Sequence, residues 1–85
     1  MGDAQELKQQ CLTMAAVELE LLMNIIGDLS FIGYKISLCR LKGYSYGQCA
    51  RNFKISKSRA QWHWETCQKK GYDVHLKRMF NLEKE

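Results

Sequence analysis

Apolar residues spaced by threes and fours, in a chain without a single proline, commit this sequence to helices before any other consideration. The longest such pattern runs from Asp3 to Ile26, free of glycine, with one row at Leu7, Cys11, Met14, Leu21 and Ile25 and a second at Leu12, Ala15, Leu19, Leu22 and Ile26. The spacing predicts a helix over residues 3–26. Its apolar face is broader than one small domain usually covers. Either it packs on the later helices, or the run LELLMNII at 19–26 pairs with a second copy as a homodimer through the N-terminal helix.

Eighty-five residues make one domain, 1–85, in which only about two-thirds of the unfolded surface can be buried. The hydrophobic share of 46% is ordinary for a globular protein, and with no proline the expected class is all-α, a small bundle of about four to five helices. Cys11, Cys39, Cys49 and Cys67 are far apart, with no CxxC pair, and read as free thiols rather than a disulfide scaffold or zinc ribbon. No signal-like opening and no apolar run of about 18 residues is present. The expectation is a soluble, unprocessed protein of the cytoplasm that makes no use of a membrane.

Glycines and short polar residues punctuate the rest. Gly27 and Asp28 break the first pattern, and Asp28 or Ser30 can cap a helix from about Phe31 to Leu41, with Ile32, Ile36 and Cys39 on one face and Phe31, Tyr34, Leu38 and Leu41 beside them. Gly33 inside it costs up to about 1 kcal/mol against alanine and suggests a close helix contact or a bend. Gly43 stops the helix, Ser45 caps the next one from Tyr46 to about Phe53, and Lys54 and Ile55 form a turn. Ser56 then caps a helix with Ala60, Trp64 and Cys67 on its inner face, ending at Gly71. A last helix falls within 73–83, capped by Asp73.

Charge is unevenly distributed. Residues 1–34 hold one base and five acids, a net of −4, whereas residues 35–85 hold twelve bases and four acids, a net of +8. From Lys42 to Lys70 there are seven bases (Lys42, Arg51, Lys54, Lys57, Arg59, Lys69 and Lys70) against Glu65 alone. Such clustering attracts polyanions, although a solvated basic face would look the same. The helix after Ser56 adds a sharper sign. It opens with Lys57 and Arg59 where a capping box would place an acid, against the helix dipole by a few tenths of a kcal/mol each unless an anion is near.

The stretch LCRLKGYSYGQCARNFKISKSRAQ, within about 32–70, resembles the helix-turn-helix DNA-binding proteins, and more narrowly region 4 of sigma factors and small phage or mobile-element regulators. It has a preceding helix ending before GYS, a short helix with a central alanine, an apolar-Ser turn and a second helix opening KSR. The resemblance implies a helix-turn-helix core over 30–70, binding double-stranded DNA with its second helix in the major groove. It places Lys57, Ser58, Arg59, Gln61 and Trp62 toward base edges, and Tyr46, Gln48, Arg51, Lys54, Lys69 and Lys70 toward phosphates. It also implies a transcription regulator located with the nucleoid, if bacterial or phage. Two positions depart from the family. Lys54 stands where a glycine often serves the left-handed turn, and His63 where a branched aliphatic is common, with Trp64 as the expected substitute in the core.

Other chemistry has little support. His63 and Cys67 are four apart on a helix, with His75 and Cys49 as distant companions, but without paired ligands at short spacing no metal is expected. No nucleophile has an evident base partner and no glycine-rich phosphate loop exists, so neither an enzyme nor a cofactor is expected. The rival reading keeps the scaffold and changes the partner: an inhibitor or adaptor that binds a protein such as the transcription machinery, through Trp62 and the broad N-terminal face.

Overall fold

The computed structural model describes residues 15–82, which form four helices among them and no strand: α1 (Ala16–Leu41), α2 (Tyr46–Phe53), α3 (Lys57–Lys69) and α4 (Tyr72–Met79). Leu7, Cys11, Leu12 and Met14 of the expected first helix, and the end of the 73–83 segment, lie outside the described residues.

The first helix does not stop at Gly27 and Asp28. It continues to Leu29 and turns at Ser30, whose backbone at φ 72°, ψ 163° is the one non-helical residue inside α1. That conformation is close to glycine-only territory and costs on the order of 1–3 kcal/mol. The Ser30 hydroxyl accepts a hydrogen bond from the Gly33 N–H at 3.2 Å, so Ser30 caps the second arm of α1, as one of the two expected caps. Gly27 is simply tolerated on an exposed stretch of helix.

The short helices are set by their ends. Ser45 opens α2 with a reciprocal capping box: its hydroxyl accepts from the Gln48 N–H at 3.2 Å, and Gln48 Oε1 accepts from the Ser45 N–H at 2.9 Å. Lys54 closes α2 in the left-handed conformation, φ 58°, which the sequence anticipated at some cost. Ser56 caps α3 by accepting from the Arg59 N–H at 3.1 Å. At the last helix the sequence reading needs correction. Gly71, at φ 75°, occupies the N-cap, Asp73 lies in the first turn rather than capping it, and the helix ends at Met79.

Two apolar clusters share α1 and α3 as common walls. In one, Leu22, Ile25, Leu29, Tyr34 and Leu38 of α1 meet Cys67 of α3 and Leu76 of α4, with Trp64, Tyr72 and Phe80 packed against them. In the other, Ile36 of α1 meets Cys49 and Ala50 of α2 and Ala60 of α3, flanked by Cys39, Phe53 and Ile55. The second arm of α1 is thus central, as its pattern suggested, but the residues it buries differ. Phe31 and Ile32 are exposed, while Lys35 and Ser37 are buried, the Ser37 hydroxyl donating back to the Gly33 carbonyl at 2.8 Å. A polar clasp closes the molecule at the other end. Asp28 accepts a hydrogen bond from the Tyr72 hydroxyl at 2.5 Å and pairs with Lys70 at 3.3 Å, joining the first arm of α1 to the α3–α4 junction. No described helix is long and apolar enough to cross a membrane.

Candidate nucleic-acid interface

The pair α2–α3 is held by small side chains. Cys49 and Ala50 face Ala60 across the three-residue turn Lys54-Ile55-Ser56, and the Ile55 N–H returns to the Ala50 carbonyl at 3.0 Å. Alanine at both contact points lets the backbones approach, while Ile55 plugs the base of the turn. At the opening of α3, Lys57, Ser58 and Arg59 are exposed, while Ala60 behind them is buried.

The buried line of α3 is Ala60, His63 and Cys67. Here His63 replaces Trp64 in the expected inner row. The imidazole is only 6% exposed, whereas Trp64 is half-buried at the edge of the larger cluster. The reason lies on α1. A Cβ on Gly33 would come within 3.0 Å of His63 Nδ1, so the missing side chain at 33 provides the space that the ring fills. Burial, with a smaller contribution from the nearby Arg59 guanidinium, lowers the His63 pKa from its ordinary value and favours the neutral ring.

The opposite line of α3 is open to solvent. Lys57, Ser58, Arg59, Gln61 and Trp62 are all exposed, Trp62 at 55% despite its size. The Arg59 guanidinium sits over the Trp62 ring at 5.4 Å, and the Trp62 and His63 rings meet edge to face at 5.1 Å. Gln61 donates to Glu65 at 3.0 Å, one turn further on. No acid occupies the first turn of α3. Three exposed cations, Lys54, Lys57 and Arg59, therefore gather where the unpaired N–H groups of the helix also point, and all of these favour an anion.

The residues assigned to phosphates divide by position. Arg51 and Lys54 are exposed at the end of α2 and in the turn, next to the opening of α3. Gln48 is exposed but engages Ser45 through its amide oxygen. Tyr46 is half-buried beneath the Arg40 guanidinium, which lies 4.3 Å over its ring and 5.9 Å from the Trp64 ring, and donates to the Tyr44 carbonyl at 2.6 Å. Arg40 thus ties the end of α1 to α2 and α3, a role the sequence reading missed because nothing local to Arg40 marks it. Lys69 and Lys70 stand at the far end of α3, about 18 Å along its axis from Lys57. Lys69 is exposed there, and Lys70 is engaged with Asp28.

Among the described residues no three histidine, cysteine or acidic side chains come together in a way that could hold a metal ion. No protein-family model matches the chain, and neither a curated protein nor a solved structure shows significant similarity to it.

Proposed function

We propose that this chain binds double-stranded DNA sequence-specifically through α3, as a small transcriptional regulator acting in the cytoplasm or on the nucleoid. The observation that carries the reading is the two-sidedness of α3: Ala60, His63 and Cys67 anchor it, while Lys57, Ser58, Arg59, Gln61 and Trp62 form one exposed face with no acid in the first turn. In the major groove, Arg59 is suited to the acceptor pair of guanine, Gln61 to adenine, and Trp62 to a thymine methyl or a sugar. Lys54 and Arg51 then meet the backbone, with Lys69 as an outlying contact. Lys57, assigned to base edges by the resemblance, is moved in this reading to a phosphate because it is the first residue of α3, beside Lys54 and the turn. A homodimer through the N-terminal arm of α1, where Val17 and Met23 are exposed, would place two such helices on half-sites about one DNA turn apart.

The exposure of Trp62 supports a second reading, in which the same face docks on a protein, because well-packed tryptophans dominate many interfaces. Duplex titration of the full chain and of Arg59→Ala and Trp62→Ala separates the two. DNA recognition requires that Arg59→Ala weaken duplex binding by about ten-fold or more, the loss of one bidentate base contact. A partner protein released by Trp62→Ala but retained by Lys57→Ala, with no duplex binding at low salt, would favour the protein-binding reading.

A further inference from the structure

A groove of about 390 Å³ lies between the second arm of α1 and α2, and among its lining residues are Cys39, Lys35, Lys42, Gln48 and Asn52. Cys39 is partly exposed there and packs against the cluster that contains Cys49, which is fully buried, so the two thiols lie on neighbouring helices within one apolar cluster. The Cys49 thiol also donates to the Tyr44 carbonyl, with its sulfur 3.9 Å away. Both are free thiols.

We propose that Cys39 and Cys49 are a dithiol site that a small disulfide oxidant of the glutathione class converts to an intramolecular disulfide through this groove. The lysines and side-chain amides of the groove match the carboxylates and peptide groups of such an oxidant, and Cys39 is the sulfur that faces it. Cys39 gives its proton to solvent and attacks one sulfur of oxidised glutathione. The glutathione S–S bond breaks, and the departing thiolate takes up a proton. Cys49 then attacks the Cys39 sulfur, its proton passing to the second departing glutathione. Two protein thiols are oxidised to one disulfide, and one oxidised glutathione is reduced to two thiols.

The second step is the slow one, because burial holds the Cys49 thiol above its ordinary pKa and leaves little thiolate to attack. The Cys39–glutathione adduct therefore accumulates before the ring closes. Cys67 is excluded from the exchange by its place in the other cluster, fully buried near Ser37 and Leu38. The finished bond would join α1 to α2 directly beside Ala60 of α3. This inference does not depend on what α3 binds.

The test is to incubate the folded full chain with oxidised glutathione, quench it with acid at intervals, and map unreduced peptides by mass spectrometry. The expected sequence is an adduct on Cys39, then a Cys39–Cys49 cross-link that a thiol reductant reverses. Cys49→Ser should stop at the adduct, and Cys39→Ser should form neither product. Because the wild-type map needs no variant to fold, it decides the matter alone. An unmodified Cys39, an adduct that persists beside reduced Cys49, or a cross-link through Cys11 or Cys67 would each overturn the proposal.

Discussion

Gly33 of α1 lies directly over His63 of α3, so close that a Cβ at 33 would stand 3.0 Å from Nδ1 and 3.3 Å from the Leu29 Cβ. The imidazole has little room to retreat, being buried and edge-on to Trp62. Gly33→Ala is therefore expected to destabilise the fold by about 1–3 kcal/mol through overpacking, despite alanine's better helix propensity. Gly27→Ala should do the reverse. Nothing lies within 4 Å of a Cβ there, so the helix-propensity gain of about 0.5–1 kcal/mol should appear undiminished. Denaturant midpoints of the two variants check the pair, and equal signs would contradict the packing described.

Acidification should weaken the fold through the same contact. The folded-state pKa of His63 is depressed below its ordinary 6.5, chiefly by burial. Above that value both folded and unfolded chains hold it neutral, and its contribution is complete. Below it the unfolded chain takes up the proton first, so stability falls until the folded ring is protonated as well. Asp28 acts in a lower window: held below 3.8 by Tyr72 and Lys70, it contributes above that value and is lost as pH drops further. Thermal midpoints measured across pH should show a first decline beginning near pH 6.5 that His63→Asn removes.

Lys54 adopts φ 58° without the freedom of glycine. Lys54→Gly should stabilise the chain by about 1 kcal/mol, since it removes the steric cost of a left-handed side chain. The same change deletes a cation beside α3 and should lower duplex affinity while stability rises. Chemical denaturation and duplex titration of one variant measure both effects.

Arg40 is expected to behave as a structural cation rather than a ligand contact. Its guanidinium stacks on Tyr46 and donates to the Tyr44 carbonyl, and Arg40→Ala should cost about 1–3 kcal/mol. Arg40→Lys should recover little of it, because a lysine offers no planar group to lie on the ring. Thermal unfolding of both variants tests this.

The parts of the fold legible in the sequence are those governed by local chemistry. Ser45 and Ser56 cap α2 and α3, and Gly71 ends α3, because a cap depends on residues within one turn. The break in α1 was misplaced because glycine in an exposed helix is tolerated, whereas Ser30 turns the chain with no local mark beyond a hydroxyl. The choice of His63 over Trp64 was not legible either. Both fit a three-to-four spacing after Ala60, and only Gly33, thirty residues away, decides between them. The exposure of Lys57, Ser58, Arg59 and Gln61 was legible because their side chains are polar, and that of Trp62 followed from its place about 100° from the inner row; what that face binds is not decided by exposure.

If the exposed opening of α3 meets a DNA backbone and its base edges, duplex binding must depend on salt through the phosphates it neutralises. Anisotropy titrations with a labelled duplex over a range of salt should give a linear fall of log affinity with log salt, steep enough for several phosphate contacts. Lys57→Ala should reduce that slope by about 0.9, the share of one neutralised phosphate. Binding that is absent at low salt, or whose slope Lys57→Ala leaves unchanged, would contradict DNA recognition by α3.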